Sequence, residues 1–167
     1  MSQDLLYRPC VGVMLINGAG KVWIGRRPDA ANEPEGRGSW WQMPQGGVDE
    51  AEDPRAAAVR ELMEETSVTS ARILAESAHW YRYDLPPELR PQAWGGRFRG
   101  QRQKWFLARF EGREEEIVLE RPGHKPEFDQ WRWADLDELV DLIVPFKREV
   151  YRQVVEEFRP LVAGVRG

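Results

Sequence analysis

Glu61, Glu64 and Glu65 stand at i, i+3 and i+4 within the run Arg60-Glu61-Leu62-Met63-Glu64-Glu65. If that run is helical, the spacing sets all three carboxylates on one face. Like charges so placed repel by about 0.2–0.5 kcal/mol per pair. A divalent cation among them removes the penalty, because hard ions such as Mg²⁺ take oxygen ligands and share them with substrate phosphates. The chemistry on offer is metal-assisted hydrolysis at phosphorus. An exposed acidic helix face is the competing explanation, and the three residues alone do not separate the two.

Elements must exist to hold these residues. Asp53-Pro54 predicts a helix start, since Asp caps free amides and Pro suits the first helical position. From there to Thr66 the chain is Ala-, Glu- and Leu-rich with no internal Gly or Pro, which predicts a helix over 53–66. Cys10–Ile16, the turn Asn17-Gly18-Ala19-Gly20 and Lys21–Gly25 predict a β-hairpin. Residues 29–39 read as a loop. Further strands are expected at 72–84, 104–110 and 128–133, with a Pro/Gly/Arg-rich loop from Pro86 to Gln103. Helix is expected around 135–142 and again after Pro145, where Phe146, Val150, Val154 and Phe158 form one apolar stripe. Strands first, one helix in the middle and helices last predict a mixed sheet with helices on its faces, an α/β/α layering.

A length of 167 residues fits one domain spanning 1–167, and 41% hydrophobic residues with 8 Trp can bury a core. The net charge of −4 argues against a protein that coats nucleic acid through bulk positive charge, while leaving room for a local basic groove. The lone Cys10 permits no intrachain disulfide and favours a cytoplasmic protein, with the thiol buried as a small hydrophobe. No apolar stretch approaches the ~18 residues of a membrane span, and Val11–Ile16 is too short for a signal peptide. No membrane association and no stable protein partner are expected.

The carboxylates sit in a longer pattern: Gly46, five residues, Glu52, seven residues, Arg60-Glu61-Leu62, one residue, Glu64-Glu65, then Ser67-Val68. This box over 46–68 resembles the signature of the Nudix hydrolase family, departing from it only at Ser67, where the family has Gly. The resemblance implies a Nudix-type α/β/α sandwich with a mixed central sheet. It also implies two or more Mg²⁺ ions, or Mn²⁺, held by Glu61, Glu64 and Glu65 near Gly46 and bridged to substrate phosphates. Glu64 is either a ligand or the base that takes a proton from water. Gly46 and Gly47 are expected to form a tight loop over the metals. Glu52 is expected to pair with Arg60 and keep that charge away from the ligands. Leu62 should pack on the sheet. Ser67, at the helix end, should either accept a left-handed backbone or force another turn.

Outside the box, Tyr7-Arg8-Pro9-x-Val11-Gly12, Ser39 to Gly47, Pro126-Glu127-Phe128-Asp129-x-Trp131-Arg132-Trp133 and Phe146-Lys147-Arg148-x-Val150-Tyr151 are similar to segments of the RNA pyrophosphohydrolases and dinucleoside polyphosphate hydrolases of that family. By this resemblance Glu127 is a further metal ligand. Arg8 and Arg27 contact phosphates, and Val144, Phe146 and Lys147 form a cleft for a base; for Phe146, core packing is the alternative. The expected reaction is removal of pyrophosphate from 5′-triphosphate RNA, with cleavage of dinucleoside polyphosphates. Dedicated dinucleotide hydrolysis is the nearest rival. A nucleoside triphosphate or nucleotide-sugar substrate fits the outer segments less well, and an inactive binding module would have lost box carboxylates. The run from Trp94 to Lys104 carries four cations and two aromatics, suited either to a polyanion or to a solubilising loop. His79 reads as a strand residue, His124 as a loop residue, and the remaining Trp as core.

Overall fold

The computed structural model describes residues 6–27, 40–91 and 94–166. In chain order its elements are β1 (Tyr7–Ile16), β2 (Val22–Arg26), β3 (Trp41–Gln42), β4 (Gln45–Gly47), α1 (Pro54–Thr66), β5 (Ala71–Glu76), β6 (Tyr81–Asp84), β7 (Gly100–Phe110), β8 (Gln130–Ala134), α2 (Leu139–Leu142) and α3 (Arg148–Arg166). The strands make one mixed sheet in which β1 and β7 run parallel along their length and the other pairings are antiparallel. Residues 29–39, read from sequence as a loop, lie outside the described residues.

The sheet is buried on both sides, and β1 shows why its sequence is an unbroken apolar run. Met14 and Ile16 pack with Trp105, Leu107, Tyr151 and Val154 under α3. Val11, Val13 and Leu15 pack with Phe106, Ala108, Ala57 and Leu62 under α1. The expected α/β/α layering is therefore observed. Trp23 and Trp105 are fully buried, whereas Trp41, Trp80, Trp131 and Trp133 are only partly so. In the C-terminal stripe Val150, Val154 and Phe158 are buried, and Phe146 sits ahead of α3 in a 3₁₀ turn (Pro145–Lys147).

The hairpin forms as expected, its turn closed by the Asn17 side-chain oxygen accepting from the Ala19 and Lys21 amides at 3.0 Å each. The two strands then separate. They pair at Ile16 and Val22, but farther along β4 lies on β1 at Cys10–Gly12 and β3 lies on β2 at Gly25 and Arg26. The segment Trp41–Gly47 thus enters the middle of the sheet, which sequence reading missed because strands of two and three residues around Pro44 carry too little pattern.

Three other expectations are corrected. The single strand over 72–84 is two, β5 and β6. Ser77 ends the first by exchanging hydrogen bonds with Trp105: its amide donates to the Trp105 carbonyl (2.7 Å) and its hydroxyl accepts from the Trp105 amide (3.0 Å). Glu157 of α3 then accepts from the Ala78 amide (2.8 Å) and fixes the turn. His79 consequently lies exposed in that turn and not in a strand. Finally, the polar run Gly100–Gln103, read as loop, opens β7, because β1 on one side and β6 on the other satisfy its backbone. Among the described residues no helix is long and apolar enough to cross a membrane.

Candidate active site

Helix α1 starts as its sequence predicts: the Asp53 carboxylate accepts from the Ala56 amide at 3.2 Å and Pro54 takes the first position. Ala57, Ala58 and Leu62 bury against the sheet, which turns Glu61 and Glu65 towards β4 and leaves Glu64 exposed. The helix ends at Ser67 in the left-handed conformation (φ 68°, ψ 8°), with its amide donating to the Met63 carbonyl at 2.8 Å. Serine thus takes the backbone glycine would have taken, and its hydroxyl gains a bond to the Val118 carbonyl at 2.7 Å.

Strand β4 fits against this helix without room to spare. A Cβ on Gly46 would overlap the Glu61 carboxyl group, and one on Gly47 would strike the Arg8 guanidinium. The two glycines are needed for close approach within a strand, and the tight loop expected of them is not what forms. The Gln45 amide donates to Glu65 Oε2 at 3.2 Å.

Arg60 pairs with Glu52 as expected, through Nε and Nη2 at 2.9 Å each, and Nη2 also reaches the Gly47 carbonyl at 2.9 Å. This fork pulls the Glu52 carboxyl down to about 2. The second half of that expectation is corrected: Nη1 donates to Glu61 (2.8 Å) and Glu64 (3.2 Å), so Glu52 does not keep the guanidinium from the putting its charge on the other carboxylates.

Burial pushes the Glu61 carboxyl up despite Arg60, with Glu64 and Glu127 adding to the rise. Glu65 is pushed well above the usual carboxylate range, first by burial and then by Glu127 and Glu61. Glu127 is an exposed residue brought here by its neighbours. Phe128 is buried 5.3 Å from the Trp23 ring, Asp129 forms a two-point pair with Arg26 at 2.8 Å, and Arg27 lies 4.0 Å from Glu127. Four carboxylates, of which Glu61 and Glu65 have their proton affinity raised by burial and by the charges beside them, with oxygen as the only donor type, suit a hard divalent ion. As the side chains stand, no three acidic, His or Cys residues among those described are gathered tightly enough to ligate one ion.

Of the substrate-side candidates, Val144 and Phe146 pack on the α3 side of the sheet. Arg8 lies over Gly47 with Nη1 3.5 Å from the buried Cys10 sulfur, whose thiol is pushed up to about 11 by burial. Lys147 is nearly buried, its ammonium 5.6 Å from the centre of the Tyr83 ring, and the half-buried Phe146 ring lies 5.8 Å from the same ring. Val144 is core, 3% exposed. His124 lies in an exposed tight turn, as read.

Sequence reading missed the residues that connect these parts. Tyr151 of α3 accepts from the buried Met43 amide at 2.9 Å, tying the C-terminal helix to the segment that ends in Gly46. Buried Gln103 donates to Gln45 (3.1 Å) and Gln101 (2.8 Å) and accepts from Trp105 Nε1 (3.0 Å). The alternation of Gln101 and Gln103 with Arg102 and Lys104 was the available signal, obscured by the glycines and arginines before it.

A Nudix domain is matched over residues 6–154. The chain belongs to the Nudix family. Its relatives in that family include the RNA pyrophosphohydrolases of Brucella anthropi and Brucella abortus, each 54% identical over 164 residues. The alignments cover 96% of this chain and 94% and 92% of theirs. Among solved Nudix-like folds, the E. coli dihydroneopterin triphosphate pyrophosphohydrolase superposes with a TM-score of 0.66 at 21% identity, covering 92% of this chain and 97% of that one. A C. elegans Ap4A hydrolase binary complex gives 0.66 at 19% identity, covering 94% and 98%. Nudix hydrolases generally depend on a divalent metal, the kind of ion these oxygen donors suit.

Proposed function

We propose that this Nudix hydrolase removes pyrophosphate from the 5′-triphosphate end of RNA and also cleaves dinucleoside polyphosphates. The observation that carries the reading is 54% identity across 96% of the chain to RNA pyrophosphohydrolases, an extent that takes in the segments outside the box. We assign the whole chain, 1–167, to one domain acting in the cytoplasm without a stable protein partner.

In this reading Glu61, Glu64, Glu65 and Glu127 hold two or more Mg²⁺ ions, with Mn²⁺ as a substitute, beside the Gly46 backbone. Bound there, the ions supply an activated water and neutralise charge developing on the phosphates. The chain's own residues do the rest. Glu65, its carboxylate aligned by the Gln45 amide, contributes a fixed negative oxygen to the site. Glu64, the exposed member, acts as ligand or as the base that takes the proton. Arg60 positions the carboxylates and, through Glu52, ties the chain ahead of α1 to the helix. Arg8 and Arg27 bind phosphate oxygens. Phe146, lying on Tyr83 and backed by Val144, offers a ring for the base, and Lys147 contributes positive charge beside it.

The test is a comparison of initial rates in Mg²⁺ on a short 5′-triphosphate RNA and on diadenosine tetraphosphate at matched concentrations. Faster processing of the RNA with release of pyrophosphate is expected. A large preference for the dinucleotide would replace this reading with dedicated dinucleoside polyphosphate hydrolysis.

A further inference from the structure

Between Trp80 and Lys104 the chain carries six cations against two carboxylates, in a protein of net charge −4. Strand pairing sorts these side chains by face. Arg82 on β6 lies directly across from Arg102 on β7. Tyr83 and Trp105 pack in the core under α3 and Phe106 in the core under α1. By alternation, Arg82, Arg102 and Lys104 therefore share the α1 face of the sheet, beyond the helix itself.

On that face guanidinium groups and aromatic rings alternate. Arg102 sits 4.2 Å from the centre of the Trp80 ring, and Arg82 and Arg99 each sit 5.4 Å from the centre of the Tyr7 ring. Of the acids beside them, Asp84 is engaged by Arg99 at 2.5 Å and by the Tyr7 hydroxyl at 2.6 Å, and Glu76 lies 3.7 Å from Lys104. Arg102 makes no ion pair among the described residues, and its Nε makes no hydrogen bond. The patch lies near the active site, with the buried Val11 of the core under α1 between them. Gly46 pairs with Val11 on β1, and Val11 pairs with Lys104 on β7. Two strand spacings, about 10 Å, separate Gly46 from the start of the patch.

We propose that this face binds the single-stranded body of the RNA downstream of the 5′ nucleotide; the proposal rests on the RNA reading above. Cations held on rings lose little side-chain freedom when a phosphate arrives, and a sequence-tolerant surface of arginines and aromatics is what an arbitrary single strand requires. The position also favours RNA, since the patch lies on the same side of the sheet as Glu61 and Glu65, where the 5′ phosphates would sit. An acidic protein surface would satisfy the charge but would gain nothing from nearness to the hydrolytic centre.

The test compares wild type with the double variant Arg82→Gln, Arg102→Gln on two substrates, a 5′-triphosphate trinucleotide and a single-stranded 5′-triphosphate RNA of about twenty nucleotides, over a series of salt concentrations. Loss of two phosphate contacts is expected to raise KM for the long RNA about tenfold, with kcat unchanged, and to reduce the slope of log KM against log salt by about 1.4. Kinetics on the trinucleotide should be unaffected, which also reports that the variant is folded. Arg82→Gln alone, at an exposed position, serves if the double variant loses trinucleotide turnover. An unchanged KM and salt slope on the long RNA would overturn the proposal and leave the face to an acidic protein partner. Failure of the wild type on both RNAs is a different result: it removes the RNA reading, and this proposal with it.

Discussion

Glu65 combines three conditions that rarely coexist in a structural carboxylate: burial, like-charged neighbours and a single backbone amide as its hydrogen-bond donor. A carboxyl raised in the folded state binds protons more readily there than when unfolded. In metal-free buffer the fold therefore loses stability as pH rises above the ordinary carboxylate range. Metal binding requires the ionised form. The rise in Tm produced by Mg²⁺ over EDTA should accordingly grow between pH 5 and pH 8, and a pH-independent shift would contradict the assignment. Glu65→Gln keeps an oxygen for the Gln45 amide and removes the repulsion. It should melt above wild type in EDTA, lose the Mg²⁺ shift and lose nearly all turnover, measured by phosphate release.

At the scale of elements, the site depends on how closely β4 approaches α1 and on how α1 stops. Gly46→Ala should leave the strand paired but displace the Glu61 carboxyl, lowering kcat about a hundredfold in a steady-state assay with little change in Tm. Ser67 holds a left-handed backbone that disfavours side chains, offset by its bond to Val118. Ser67→Ala keeps the strain and loses the bond, so urea unfolding should register a loss of about 1 kcal/mol. Ser67→Gly relieves the strain while losing the same bond, so it should lie within about 0.5 kcal/mol of wild type. Activity should be retained in both, because neither substitution touches a carboxylate.

Across the whole molecule, Tyr151 joins the layer of α3 to the catalytic segment, and its hydroxyl is the partner of a fully buried amide. Tyr151→Phe strands that amide, with an expected loss of about 1–3 kcal/mol by thermal or urea unfolding. Because Met43 precedes Gln45 and Gly46, kcat should also fall several-fold while KM changes little. Unchanged turnover in a destabilised variant would confine Tyr151 to holding the fold.

Some of this protein was legible in the order of its residues alone. The helix Pro54–Thr66, its Asp53 cap, the Glu52–Arg60 pair and the spacing of Glu61, Glu64 and Glu65 are local relations, set by neighbours within about fifteen positions and by helical periodicity, whereas the left-handed end at Ser67 was one of two turns the sequence allowed. The buried strand β1 and the apolar stripe of α3 were equally plain, because burial demands an uninterrupted or periodic apolar pattern. Tertiary structure decided what depends on distant partners. Strands β3 and β4 exist because β1 and β2 separate, and β7 starts early because β1 and β6 both pair with it. Phe128 and Asp129 hold Glu127 where its charge acts on Glu61 and Glu65, Tyr151 reaches Met43 across the molecule, and Arg82 meets Arg102 only where two strands align. A hydrogen bond or a charge effect between residues far apart in sequence leaves no periodic trace in either segment, so folding alone brings it into view.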